Sequence, residues 1–264
     1  KRLTRPDKPK SESGNLFDIF SEAKKKAQEL KQLHKEFFEA SQKTKKDELK
    51  RRIEKLEWEL IETSLSEQNK TSSLKKLEQY KRTNTKPFFL WRLNFAEVFA
   101  EKGGFDVVIA NPPYVSAWSM EKEDPEIRKI IKNALRDYSI LSGHWDLYIA
   151  FVAKGHQLLK NNGSLAYIVP NPILREKYAT DTRKFLLHNM TMQSVLEFND
   201  VNVFENVARR TTVIIALKKQ SIENYPIYIF SNQNSQHAVE LLNKFDKSYW
   251  FNQPKSTFLI KGNN

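Results

Sequence analysis

The chain has 264 residues, a formal net charge of +12 from 44 Lys and Arg against 32 Asp and Glu, and no cysteine. The missing cysteines exclude disulfides and cysteine-ligated zinc and fit a cytoplasmic protein, and no apolar run approaches the ~20 residues needed to span a bilayer. The positive surplus suits a polyanionic partner such as nucleic acid, while 39% apolar residues with 17 Phe, 9 Tyr and 5 Trp support a real core.

Residues 1–15, rich in charge, Pro and Ser, read as a flexible leader. Residues 16–85 read as a helical hairpin arm. From Leu16 to about Ala40, Phe20, Ala23, Ala27, Leu30, Leu33 and Phe37 recur at three and four residues and share one helix face. Ser41–Thr44 breaks the pattern, and Thr44 with Asp47 resembles a capping box opening a second helix. Its stripe is Leu49, Ile53, Leu56 and Leu60, and the short break predicts an antiparallel pair. A zipper to another protein competes, but each stripe is short for one. A further short helix is expected around Leu74 to Tyr80. Residues 1–86 hold 23 Lys and Arg against 15 acids, so much of the basicity lies in this arm, as solvated faces or as DNA contacts.

Residues 86–220 change character. Trp91–Phe95 reads as a strand end and Ala96–Glu101 as a short helix. Gly103-Gly104 then bounds a β-branched run, Val107 to Ala110, that reads as a buried strand and stops at Asn111-Pro112-Pro113-Tyr114. Two prolines forbid its continuation and remove two backbone donors. A helix is expected near Glu126–Asp137, another over Asp146–Lys160 with Asp146 as N-cap, a strand over Ser164–Val169, and helix through most of Pro172–Leu187. Gln193–Phe198 and Thr211–Leu217 read as strands. Helices alternating with buried strands predict a mainly parallel, doubly wound α/β sheet. Residues 221–264, with a strand at Tyr225–Phe230 and a helix at Ala238–Phe245, read as the start of a following region.

The turn at Asn111–Tyr114 carries the chemistry. In open α/β sheets ligands bind at the C-terminal ends of strands. The Asn111 side-chain oxygen and the Pro112 carbonyl are two acceptors a short distance apart, suited to a planar exocyclic amine. Tyr114 offers a face on which a base can stack, worth ~1–3 kcal/mol. An aromatic amine is a poor nucleophile because its lone pair is delocalised. Acceptors drawing on its hydrogens favour a tetrahedral nitrogen and free that pair, a preorganised electrostatic effect. No metal is required, and the five histidines (34, 144, 156, 188, 237) show no metal spacing.

Asn-Pro-Pro-Tyr after a hydrophobic strand resembles the catalytic motif of AdoMet-dependent DNA N6-adenine methyltransferases. Phe88-Phe89-Leu-Trp91-Arg-Leu-Asn-Phe95-Ala-Glu-Val-Phe99, followed by Gly103-Gly104-Phe105-Asp106, is similar to the approach to that motif in type IIG restriction–modification enzymes. Trp145-Asp146-Leu147-Tyr148, Gly163 to Pro170, and Val203-Phe204 to Ile215 resemble the later segments of the same enzymes. The resemblance spans roughly residues 85–220. It implies the C-terminal half of a Rossmann-like methyltransferase sheet, preceded here by the helical hairpin, that transfers methyl from S-adenosyl-L-methionine (AdoMet) to a flipped-out adenine in double-stranded DNA. It assigns Asn111, Pro112, Pro113 and Tyr114 to catalysis. It also makes Phe204 the ring opposite Tyr114 across the base, although by the residues alone Phe204 could equally be a core aromatic. Asn94-Phe95, with Asn111, would border the cofactor, though the related enzymes usually have a carboxylate at the Asn94 position. Residues 221–264 would begin the region that recognises the DNA target. Arg209, Arg210, Lys218 and Lys219 are candidate phosphate contacts, with a solvated strand end as the alternative. Protein-glutamine and RNA methyltransferases carry similar motifs, and a non-catalytic DNA-binding module is the remaining alternative.

A glycine-rich cofactor loop is missing. The seven glycines (14, 103, 104, 143, 155, 163, 262) form no Gly-x-Gly after a strand, and such a loop is what lets a backbone approach a nucleotide closely. The expectation is a piece of a longer enzyme, with most of the cofactor site upstream in the same polypeptide.

Overall fold

The computed structural model describes residues 21–83, 86, 89–198, 210–219, 223–232 and 239–260. The chain divides into two compact units, Lys1–Ala100 and Glu101–Asn264.

In the first unit α1 (Ser21–Glu39) and α2 (Lys43–Glu67) form the expected hairpin. Ala23, Leu30 and Leu33 of α1 bury against Leu49, Ile53, Leu56 and Leu60 of α2, each large side chain contributing ~1.5–3 kcal/mol. Lys26, near the start of α1, pairs with Glu59, near the end of α2, at 3.2 Å, which fixes the antiparallel sense. The capping box does not form. The helix begins at Lys43, one residue before Thr44, and Gln42 at the N-cap makes no side-chain bond. α3 (Thr71–Arg82) buries Leu77 and ties Lys81 to Glu62.

Trp91–Phe95 is not a strand end. Residues Trp91–Asn94 form a single helical turn, α4, in which Asn94 donates to the Leu90 carbonyl from its backbone (2.9 Å) and its side chain (3.1 Å). Trp91 stacks on Phe95 with ring centroids 6.0 Å apart, a packing that the helical i,i+4 spacing permits and the ~13 Å between i and i+4 along a strand would not. α5 (Ala96–Lys102) follows.

The second unit is built on β1 (Phe105–Ala110), α6 (Ala117–Glu123), α7 (Pro125–Ala134), α8 (Leu147–Leu158), β2 (Leu159–Pro170), α9 (Pro172–Arg175), α10 (Thr180–Asn189), β3 (Thr191–Phe198) and β4 (Thr211–Leu217), then β5 (Pro226–Asn232), β6 (Glu240–Asp246) and α11 (Lys247–Asn252). The six strands lie in the order β1-β2-β4-β3-β5-β6. Four of them, β1, β2, β3 and β5, run in one direction, and β4 and β6 run against them. The sheet does not stop near residue 220, because β5 pairs in parallel with β3. The expected helix over Ala238–Phe245 is instead β6, paired antiparallel with β5, and the helix starts at Lys247.

The core lies on the α8 side. Trp145, Tyr148, Ile149, Val152 and Ala153 pack with Leu165, Tyr167, Val169, Val195, Ile214 and Ala216 from the strands. β1 is not the fully buried strand its apolar run suggests. Among the described residues it pairs only with β2, and Val107 and Ile109 on one face are 52% and 77% exposed, while Val108 and Ala110 on the other pack on the core. No described helix is long and apolar enough to cross a membrane.

Candidate functional site

The β1–β2 ladder runs from Phe105 to Ala110, which pairs with Tyr167, and ends there. Asn111 comes next with an exposed side chain, Pro112 is buried, Pro113 is exposed and Tyr114 is partly buried. The Pro112 ring anchors the turn while the Asn111 side chain is exposed. Among the described residues no hydrogen bond claims the Asn111 side chain or the Pro112 carbonyl. The Tyr114 hydroxyl is buried without a partner there, and burial pushes its pKa up.

The segment after the turn, from Val115 to Ala117, is clamped to the start of α8. The Leu147 amide donates to the Val115 carbonyl at 2.9 Å. The Ala117 amide donates to Asp146 Oδ1 at 2.9 Å, and the Tyr178 hydroxyl donates to Asp146 Oδ2 at 2.9 Å. The Tyr148 hydroxyl reaches Tyr178 at 3.4 Å. Burial, followed by the neighbouring tyrosine and Asp146, drives the Tyr148 pKa far up, and burial likewise raises that of Tyr178. Both phenols therefore stay protonated and able to donate. Asp146 does stand at the N-cap position of α8, but its side chain caps nothing in that helix. Its carboxylate bridges α6 to Tyr178 instead, 29 residues from one partner and 32 from the other. The sequence carries only the local signal of a helix start, so the bridging role is not visible in it.

The strand ends bring some predicted residues to the same edge and separate others. Arg210 is exposed beyond the C-terminal end of β2, where the Asn171 amide donates to its carbonyl at 3.0 Å. Lys218 is at the other end of β4, eight residues or about 25 Å away. Its ammonium donates to the Leu159 carbonyl at 2.7 Å, where β2 begins. Lys218 therefore does not share an edge with the Asn111 turn, because the antiparallel β4 carries it to the opposite side of the sheet. Phe204 and Arg209 lie outside the described residues. Asn171 donates to buried Glu197 at 3.3 Å just beyond the C-terminal end of β2, a polar pair that the sequence does not single out.

Asn94 and Phe95 belong to the first unit. They line a cavity of about 550 Å³ with His34, Phe38, Glu57, Trp58 and Phe89. Glu57 is only 2% exposed and is paired with Lys86 through Oε2, while its Oε1 and His34 Nε2 have no partner among the described residues. Burial, the dominant cause, lowers the His34 pKa against the pull of Glu57. A buried carboxylate oxygen and an imidazole nitrogen, donor or acceptor by its tautomer, between aromatic walls suit a flat ring bearing polar edge groups.

An α/β sheet with Asn-Pro-Pro-Tyr at a strand end fits the methyltransferase class that the motif resembles. Residues 15–204 match the profile of the Eco57I restriction-modification methylases, and the chain belongs to that family. It is 31% identical over 124 residues to the type II restriction enzyme and methyltransferase RM.Eco57I of Escherichia coli, covering 47% of this chain and 12% of that one. It is 29% identical over 156 residues to the type II methyltransferase M.HincII of Haemophilus influenzae, covering 57% and 29%. The type IIG restriction endonuclease BpuSI superposes with a TM-score of 0.44 at 20% identity, covering 58% of this chain and 20% of that one. The matched part is thus under a third of each of these proteins.

Proposed function

We propose that this chain is the catalytic half of a site-specific DNA adenine-N6 methyltransferase belonging to a restriction–modification enzyme. The observation that carries the reading is the turn after β1, where no described residue claims the Asn111 oxygen or the Pro112 carbonyl at the end of a ladder. The target adenine leaves the duplex and enters the turn. Asn111 Oδ1 and the Pro112 carbonyl accept from its exocyclic amine, so the nitrogen lone pair is drawn out of the ring. Pro113 keeps the turn rigid. Tyr114 and Phe204 close on the two faces of the base. The Asp146 bridge holds the turn against α8, so that the acceptors need not reorganise during reaction. Arg209 and Arg210 contact phosphate.

Bound AdoMet supplies an electrophilic methyl group. Asn94 and Phe95 border its adenine, and the aromatic cavity, with a buried Glu57 oxygen and a His34 nitrogen that no described residue claims, supports that assignment. The remainder of the cofactor site, including the glycine-rich loop, lies upstream in the same polypeptide. The edge of β1 that no described strand pairs, and its exposed Val107 and Ile109, suit pairing with a strand from that part. The isolated chain is therefore inactive and takes up AdoMet weakly or not at all. Micromolar binding in a calorimetric titration would refute that point.

Incubating the full-length protein with labelled AdoMet and duplex DNA, RNA or protein tests the substrate. N6-methyladenine in the digested DNA is the expected product. Label confined to RNA or to glutamine amides would move the same turn to another substrate class. No label in any acceptor would leave a non-catalytic DNA-binding module.

A further inference from the structure

Trp118 is 68% exposed, yet it stands on a rigid mount four residues after Tyr114. Ser116 caps α6 by accepting from the Ser119 amide at 3.1 Å. The flanking Ala117 and Met120 are buried, at 7% and 5% exposure, and the Ala117 amide is held by Asp146. The helix cannot turn to bury the indole without pulling those two residues out of the core. Lys122, one turn later, sets its ammonium 5.1 Å from the ring centroid, so one indole face carries a cation while most of the side chain stays in solvent. A large flat apolar ring fixed in water beside a positive charge suits a partner that offers flat apolar faces and negative charge together. Stacked bases with their phosphates have both properties, and proteins that open a duplex insert apolar side chains between base steps.

We propose that Trp118 is a positioning residue that enters the base stack of duplex DNA as the target adenine leaves it, with Lys122 on the adjacent phosphate. This rests on the reading that the chain acts on a flipped adenine. Trp118 does not touch the reacting atoms; it holds open the duplex from which the adenine came. Its loss raises the cost of flipping and leaves the chemistry at Asn111 unchanged.

The test uses the full-length protein, with its target site read from methylated plasmid DNA. Trp118→Ala and Trp118→Phe are compared with the unmutated protein on a matched duplex and on one mismatched at the target adenine. 2-Aminopurine at the target position reports flipping by fluorescence. Trp118→Ala is expected to lower methylation of the matched duplex about 5- to 100-fold, the scale of one lost stacking contact. The 2-aminopurine signal should fall with it, and Trp118→Phe should retain most of both. The mismatched duplex, whose target base is already unpaired, should restore the rate of Trp118→Ala to near that of the unmutated protein. Unchanged flipping in Trp118→Ala, or a deficit that the mismatch does not relieve, overturns the proposal. An unmutated protein that methylates no duplex DNA overturns the reading beneath it, which is a separate failure.

Discussion

Replacing Asp146 with alanine removes the carboxylate that accepts from both the Ala117 amide and the Tyr178 hydroxyl, each at 2.9 Å. A hydrogen bond to a charged group contributes ~1.5–3 kcal/mol. Asp146 is half-buried, so water recovers part of the loss at the Ala117 amide. The Tyr178 hydroxyl, left with Tyr148 at 3.4 Å, recovers less. The net cost comes to ~2–4 kcal/mol, or a fall of roughly 5–12 °C in melting temperature for a unit of this size. Asp146→Asn keeps an oxygen for Ala117 and turns an amide N–H₂ toward Tyr178, whose oxygen can accept, so its cost should be ~1 kcal/mol. Scanning calorimetry of the three proteins decides. Equal melting for Asp146→Ala and the unmutated protein, within about 1 °C, would show that the bridge does not hold the turn.

The glycines before β1 give a paired test. An added Cβ at Gly104 would lie 2.5 Å from the Leu158 carbonyl oxygen and 2.6 Å from the Lys160 nitrogen, both backbone atoms that cannot swing away. Gly104→Ala should cost ~3 kcal/mol or more, whereas Gly103→Ala, with a φ of 74° and open space around it, should cost ~1 kcal/mol. Equal costs in urea titrations would contradict the close approach. His156 supplies a pH dependence. Burial, followed by the Lys218 charge, lowers its pKa to about 4 from 6.5, and Nδ1 lies 2.9 Å from the Tyr138 hydroxyl. The unfolded chain binds the proton more readily, so this contribution is present above pH 6.5 and is lost as pH falls toward about 4. Calorimetry of His156→Gln across that window should show a flatter pH profile, and an unchanged slope would contradict the burial argument.

Much of the fold is legible in the sequence because its signals are local. The stripes of α1 and α2, the β-branched runs of β1 and β4, and the proline stop at residue 112 each depend on neighbours within a few positions. Pairings between distant segments are not. Nothing in Thr211–Leu217 says that it slots antiparallel between β2 and β3, and that insertion is what carries Lys218 away from the edge that holds the Asn111 turn. Ala238–Phe245 can be written on a helix, but β5 offers it a ladder, and the ladder wins. Trp91–Phe95 errs the other way, its apolar run settling into a helical turn through Leu90 and ring stacking. At the site, the Asn111 turn is visible as a motif. The Asp146 bridge depends on contacts 29 and 32 residues apart and is not.

Asn111 is proposed to activate the amine of adenine. Asn111→Ala in the full-length protein, assayed for N6-methyladenine in target duplex DNA, tests it most directly. Methyl transfer should fall by about 100-fold or more, the scale of a lost transition-state hydrogen bond, with DNA affinity within a few-fold of the unmutated protein. Turnover within about tenfold of the unmutated protein, a change of only ~1.4 kcal/mol, would place the chemistry elsewhere.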